Sequence, residues 1–243
     1  MTKNIALAGN PNTGKSTLFN FLTGLKQHTG NWPGKTVVRA EGQFETDRHS
    51  YKVIDLPGTY SLYSNSADEE VARDYIIFEK PDITLVVVDA TSLERNLNLA
   101  LQVLEMTSNV IICVNLIDEA RRKGITVDQK KLSEQLGVPV VLISAREKVG
   151  VIELLKTIDQ MADGTIETCP YQIAYDNTVE TEIEALEPKI KQLFGDHFPS
   201  RWIALRLIDG DQHLLDALKA YIQRSSQIKS DLELKQGGVS HGA

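Results

Sequence analysis

Short β-branched apolar runs alternate with amphipathic stretches from the start of the chain to about residue 162. NIALAG (4–9) reads as a buried strand, and KSTLFNFLTG (15–24) as a helix closed by a glycine. VVRAEGQFET and HSYKVIDL alternate with period two on either side of Thr46, Asp47 and Arg48, which predicts a hairpin. Beyond it the spacing predicts helices near 67–79, 93–106 and 129–136 and at 150–161, with strands at 83–89, 110–115 and 139–143. Strands that alternate with helices imply an α/β fold, a mostly parallel sheet covered on both faces. The hairpin adds one antiparallel edge strand.

After Gly164 the pattern changes. No apolar β-branched run of strand length follows, and residues 179–198 and 199–234 have helical spacing, with Pro188 expected to bend the first. The expected organisation is an α/β domain over 1–164, a small all-helical domain over 165–236 and a disordered tail over 237–243.

Composition narrows the classes. At 42% hydrophobic the chain can build a full core, and a net charge of −7 with no lysine–arginine run argues against a nucleic-acid partner. Five histidines and two cysteines are scattered without metal-ligand spacing, so a structural zinc site is not expected. Cys113 lies in the apolar run VIICV and reads as a core residue of a protein in reducing cytosol. The N-terminus does not have the form of a signal peptide, and no apolar stretch approaches a membrane span. The chain alone is expected to be soluble, which leaves room for a membrane segment beyond its end.

The chemistry concentrates where strands end. GNPNTGKS (9–16) fits Gly-x-x-x-x-Gly-Lys-[Ser/Thr] between a strand and a helix. Gly9 and Gly14 let the loop of Asn10, Pro11, Asn12 and Thr13 curl so that backbone N–H groups face phosphates, and the helix start at Lys15, Ser16 and Thr17 adds its dipole. Lys15 supplies a point charge and Ser16 a magnesium ligand. GNWPGKT (30–36) mimics the same ending, but its first glycine is displaced by Thr29 and a strand follows. It is therefore read as a switch loop in which Thr36, after Gly34 and Lys35, closes over magnesium and a γ-phosphate. DLPG supplies Asp55 for magnesium and the Gly58 N–H for the γ-phosphate, with Leu56 and Pro57 between them. In NLID (115–118), Asn115 and Asp118 suit a guanine, whose N1–H and 2-amino group a carboxylate accepts. In SAR, Ser144, Ala145 and Arg146 close the base end, with the Ala145 N–H assigned to guanine O6. Together these predict a Ras-like P-loop GTPase domain that binds GTP or GDP with Mg2+ at the carboxyl ends of the sheet.

Two positions depart from the common pattern. Leu116 stands where a lysine usually stacks on the base, which predicts faster GDP release. Thr59 stands where a Ras-type protein has its water-orienting glutamine, and neither switch offers an arginine finger, so intrinsic turnover is expected to be slow. A monovalent cation is an alternative source of positive charge. Asn12 offers it a hard carbonyl oxygen, and residues 30–34 would fold over the nucleotide to lend backbone carbonyls; an asparagine chosen for its turn conformation is the other reading.

GNPNTGKSTLFNFLTG, GNWPGKTV, DLPGTYSL, NLID and SAR together resemble the N-terminal cytosolic region of the ferrous iron transport protein B (FeoB) family. RWIALRLIDGD (201–211) resembles the helical, dissociation-inhibitor-like domain that follows in that family. The resemblance implies GTP-regulated Fe(II) uptake at the cytoplasmic face of a bacterial inner membrane, with a membrane-embedded part of the same polypeptide as partner. It implies K+ activation through Asn12 and makes Glu69 and Glu70 candidates for holding the attacking water. An acid-rich helix start explains those two glutamates equally well. Association with further copies into a homo-oligomer is left open, and a stand-alone GTPase acting in ribosome or RNA processing is the alternative. Glu184 and Glu187 share a helix face, but two carboxylates make a poor iron site, so none is expected here.

Overall fold

The structure, a computed structural model, describes residues 2–24, 27–63, 66–196 and 198–237. Seven strands form one sheet: β1 (Lys3–Gly9), β2 (Gln27–Asn31), β3 (Val38–Glu45), β4 (Ser50–Asp55), β5 (Ile83–Asp89), β6 (Val110–Asn115) and β7 (Val140–Leu142), in the order β2-β3-β4-β1-β5-β6-β7. β4, β1, β5, β6 and β7 run parallel, and β3 is antiparallel to both its neighbours. The hairpin forms as the period-two pattern predicts, Glu45 opposite Ser50.

Alternate residues of each central strand face opposite layers. Ile5, Leu7, Leu85, Cys113 and Ile143 pack with Leu18, Phe19, Leu154 and Ile158 on one face. Ala6, Ala8, Val86, Val88, Ile112 and Val114 belong to the core on the other. β6 is buried at every position, which explains its unbroken apolar run.

The helices are α1 (Lys15–Thr23), α2 (Ala67–Asp74), α3 (Leu93–Met106), α4 (Ile117–Arg122), α5 (Gln129–Leu136), α6 (Val151–Ala162), α7 (Asn177–Phe194), α8 (Ser200–Ile208) and α9 (Gln212–Gly237). Several features differ from the sequence expectation. The antiparallel edge has two strands, because β2 pairs with β3 from Gln27–Gly42 to Asn31–Val38; polar QHTGN carries no apolar signal. The helix expected over 67–79 changes after Asp74 into a π-helical turn, Tyr75–Glu79. α4 is a short helix that begins within the base motif, with Leu116 as its N-cap and Asp118 in its first turn. The stretch 199–234 divides at Asp209–Asp211, where Gly210 has φ +76°, into α8 and α9. α7 spans Asn177–Phe194 with Pro188 inside it, where the expected bend would fall. Gly237 ends α9, and the rest of the expected tail lies outside the described residues.

Candidate functional site

The phosphate loop leaves β1 at Gly9 and enters α1 at Lys15, so its backbone is aimed by the buried end of a central strand. Its two glycines are required by space as well as conformation. A Cβ on Gly9 would meet the Val87 carbonyl oxygen at 2.5 Å, and one on Gly14, at φ +82°, would collide with Asn115 Nδ2. Asn12 holds φ +65°, a left-handed conformation that asparagine tolerates. Asn10, Pro11, Asn12, Gly14, Lys15, Ser16, Thr17 and Gly58 line one cavity of about 530 Å³. Thr13 is buried beneath, its hydroxyl donating to the Asn10 carbonyl at 2.9 Å.

Lys15 carries its ammonium to the DLPG strand end, where it pairs with the Asp55 carboxylate and donates to the Leu56 carbonyl at 2.6 Å. Burial raises the Asp55 carboxyl above the ordinary carboxylate range, with Lys15 opposing the shift. Pro57 separates these groups from Gly58, whose Cα lies against Pro11: a Cβ there would sit 3.4 Å from the proline backbone. Lys15 and the exposed Ser16 thus open α1 side by side in the cavity's lining, with Asp55 paired to the lysine ammonium.

At the base end, Asn115 is a brace. Its Nδ2 donates to the Thr13 carbonyl at 2.8 Å, and its Oδ1 accepts from the Ala145 N–H at 3.0 Å. One side chain therefore ties the phosphate loop to the SAR loop. The Ala145 N–H expected for guanine O6 here points to the Asn115 side chain, at the base end of the site. Ser144 is buried, and its hydroxyl accepts from the Glu147 N–H at 3.2 Å, fixing the turn that carries exposed Arg146. Leu116 adopts φ +62°, unusual for a branched side chain, and its Cδ2 reaches toward Gly14. Asp118 gives Oδ2 to Arg122 at 2.9 Å, while its buried Oδ1 has no partner among the described residues. A carboxylate oxygen buried without a donor fits a ligand that brings its own N–H groups.

The switch residues lie apart from this cavity's lining. Gly34, Lys35 and Thr36 are exposed on the turn between β2 and β3, and Lys35 pairs with Glu70 of α2. Glu70 also meets His213 Nδ1 of α9 at 3.1 Å, and Glu69 accepts from the Ser61 hydroxyl at 2.8 Å. The proposed water-holding glutamates are thus both engaged in joining segments. Trp32, expected in a loop folding over the nucleotide, is instead buried against Tyr75 with ring centroids 5.5 Å apart. Its carbonyl accepts from the Lys35 N–H at 3.0 Å, and residues 30 and 31 belong to β2, so the expected gift of carbonyls from 30–34 is not the arrangement seen. Sequence reading also missed Arg73, which is 1% exposed and pairs with Asp74 at 2.7 Å and with Asp211 at 3.6 Å. An arginine set between apolar residues and an aspartate in VARDY was the only sequence signal.

Glu187 accepts from the Ser200 hydroxyl at 2.8 Å and pairs with Lys191 at 3.2 Å, so it serves the helical packing. Among the described residues no group of three or more histidine, cysteine or acidic side chains is placed to hold a metal ion, and no helix is long and apolar enough to cross a membrane.

Residues 3–158 match the family described as ferrous iron transport protein B, and residues 175–237 match the FeoB cytosolic helical domain. The chain is 40% identical over 231 residues to the Fe(2+) transporter FeoB of Escherichia coli, covering 92% of this chain and 28% of that protein. It is 41% identical over 214 residues to an Fe(2+) transport protein A/FeoB fusion protein of Porphyromonas gingivalis, covering 86% of this chain and 25% of that protein. The chain therefore spans about a quarter of the length of these curated relatives. Among solved structures, the cytosolic domain of the T. maritima FeoB iron transporter in apo form superposes with a TM-score of 0.81 at 38% identity, covering 91% of this chain and 86% of that one. The same domain in a GMPPNP form gives 0.78 at 37% identity, covering 90% and 86%.

Proposed function

This chain belongs to the ferrous iron transport protein B family, and on that premise we propose that it is the GTP-binding and GTP-hydrolysing regulatory region of a bacterial Fe2+ transporter. The observation that carries the reading is the Asn115 brace, which sets a phosphate loop and an unpartnered buried Asp118 oxygen at the two ends of one site. Lys15 and the loop N–H groups bind phosphates, and Asp118 selects guanine through two hydrogen bonds that adenine cannot supply. The T. maritima relative solved in GDP and GMPPNP forms supports the choice of base. The G domain is assigned to 1–164 and the helical domain to 165–236, on the cytoplasmic side of the inner membrane. A membrane-embedded part of the same polypeptide is the partner, in keeping with the longer relatives. Family membership favours this over a stand-alone factor for ribosome or RNA processing.

Ser16, Asp55 and Thr36 would hold magnesium, which neutralises charge on the β- and γ-phosphates. Asn12 would hold potassium, a second neutralising charge; its place at the mouth of the phosphate cavity fits that role. The chain's own contribution is to orient phosphates with Lys15 and the Gly58 N–H and to close Thr36 over them. Glu69 and Glu70 remain the candidates nearest the second switch for steering water.

The test is steady-state GTP turnover with magnesium in KCl and in NaCl, for the wild type and Asn12→Ala. Faster turnover in KCl, abolished by the substitution, is expected. Equal rates in both salts would remove the potassium role, and ATP hydrolysed as well as GTP would remove the guanine reading.

A further inference from the structure

Asp118 and Arg122 stand in the first and last turns of one short helix, α4. The frame of that helix is fixed from inside. The Ile117 N–H donates to the Ile143 carbonyl at 3.3 Å, which ties the helix start to the segment carrying the SAR loop. Ile117 and Ala120 are buried and set the inward face. Side chains on a helix tilt toward its N-terminus, so residue i+4 reaches back over residue i. Arg122 does so with two donors. Its Nη2 meets Asp118 Oδ2 at 2.9 Å and its Nε meets the Asp118 carbonyl at 3.2 Å.

This pair differs from an ordinary ion pair on a helix surface. In Lys130–Glu134, at the same spacing, the side chains are 88% and 66% exposed and the charged atoms stand 3.9 Å apart. Here the arginine side chain is 65% exposed and the aspartate side chain only 8%. The guanidinium keeps its contact with water while holding a carboxylate that is turned inward. Burial acts to raise the Asp118 carboxyl, but hydrogen bonding from Ser144, from the helix backbone and from Arg122, with the guanidinium charge, brings it below the ordinary carboxylate range. The terminal torsion of an aspartate is soft, so a donor fixed on one oxygen also decides where the other points. The other is Oδ1, buried and completing no hydrogen bond.

We propose that Arg122 is a positioning residue for base selection: by holding Oδ2 from the solvent side, it sets the plane in which the Asp118 carboxylate meets the N1–H and 2-amino group of a guanine. The inference rests on the reading of Asp118 as the guanine-selecting carboxylate. An ionised carboxylate oxygen has two lone pairs, so Oδ2 can keep Arg122 and still accept from a base. Arg122 acts only through Asp118. Without it the carboxylate is free to turn and to take up water, and hydrogen bonds weaken steeply as their angles worsen. Guanine presents two N–H groups side by side and needs the carboxylate plane aligned with its own. Hypoxanthine, which lacks the 2-amino group, presents one and tolerates rotation better.

The test is calorimetric titration with GDP and with IDP, in magnesium, of the wild type, Arg122→Ala, Arg122→Lys, Asp118→Ala and the double variant Asp118→Ala/Arg122→Ala. Arg122→Ala is expected to weaken GDP roughly fivefold and IDP no more than about twofold, so the preference for GDP shrinks. Arg122→Lys keeps a cationic donor at that position and should recover most of the preference. The double variant should be no worse than Asp118→Ala, because the arginine acts through the aspartate. Melting temperatures should stay within about 3 °C of the wild type for the Arg122 variants, since their side chain is mostly in water. A lower melting temperature with an unchanged GDP-to-IDP ratio would make Arg122 a helix-stabilising residue and overturn the proposal. Tighter GDP binding by Arg122→Ala would also overturn it, by showing that the arginine competes with the base. A silent Arg122→Ala beside a damaging Asp118→Ala overturns this proposal alone. If Asp118→Ala keeps the full preference for GDP over IDP, the reading of Asp118 falls and the proposal falls with it.

Discussion

Asp118 spends one carboxylate oxygen on Arg122, and its buried Oδ1 completes no hydrogen bond although the Ser144 hydroxyl is near enough to help hold the carboxyl's pKa down, which leaves that oxygen open to the N–H groups of a base. Two hydrogen bonds from guanine to a charged acceptor are together worth about 3 kcal/mol, so Asp118→Ala should weaken GDP binding roughly a hundredfold. Binding of a fluorescent GDP checks this, and an unchanged affinity would show that the base lies elsewhere. Leu116 gives a second prediction. A lysine there would restore a cation over the base, worth up to about 1 kcal/mol at an exposed face, so Leu116→Lys should slow GDP release roughly fivefold in stopped flow. The phosphate loop was legible from sequence because each of its residues answers a local demand: no room for a Cβ at Gly9 and Gly14, a left-handed turn at Asn12. The link between the Ala145 N–H and Asn115 is not legible in sequence, because the two lie 30 positions apart and only the fold brings them together. The burial of Trp32 against Tyr75 is hidden for a similar reason, since an apolar residue in a loop does not announce what will cover it.

At the scale of elements, the central strands and α1, α3, α5 and α6 follow from apolar periodicity, whereas β2 does not. β2 forms because β3 offers it an edge, so backbone pairing and not side-chain burial defines it. The same holds for the α8–α9 break, which depends on Gly210. The junction between the linker, α7 and α8 rests on one carboxylate. Glu180 accepts from Arg201 Nη1 at 2.8 Å and Nη2 at 2.7 Å, and from the Tyr175 N–H at 3.0 Å. Hydrogen bonding from Arg201 and then from the Tyr175 backbone hold its carboxyl down at about 2, against an ordinary 4.5. A depressed carboxyl stabilises the fold fully above its unfolded value and loses that contribution as pH falls toward the folded one. The difference in melting temperature between wild type and Glu180→Gln should therefore be constant above about pH 5 and shrink away between about pH 4.5 and 2. A difference that persists at pH 2 would mean that the glutamine disrupts packing and that the ion pair is not the cause.

For the whole molecule, the decisive fact is that one apolar core runs from the sheet into the helical bundle. Val103 and Leu104 of α3 share it with Ile183 of α7 and with Trp202 and Ile203 of α8. Phe78, on the π-helical turn after α2, stacks on Tyr221 of α9 with centroids 5.1 Å apart and meets Phe198 edge-on at 6.2 Å. Polar links run through the same boundary: Arg73 to Asp211, His213 to Glu70, and Tyr175 to Glu105 at 3.0 Å. α2 and its π-helical turn are packed on these helices, so a displacement of α2 is predicted to shift them. A chain ending at residue 164 retains the whole sheet, the phosphate loop and both base motifs, so it should fold and bind GDP. It exposes the α3 face and Phe78 to water, however, and large apolar side chains lose about 1.5–3 kcal/mol each when uncovered. The truncated chain is expected to melt at least roughly 10 °C lower than the full chain and to bind a hydrophobic dye that the full chain does not. Its GDP release should also be faster if the helices restrain α2, and unchanged if they are carried along passively. Equal melting temperatures would mean that the shared core contributes little and that the two parts are held together mainly by the chain between them.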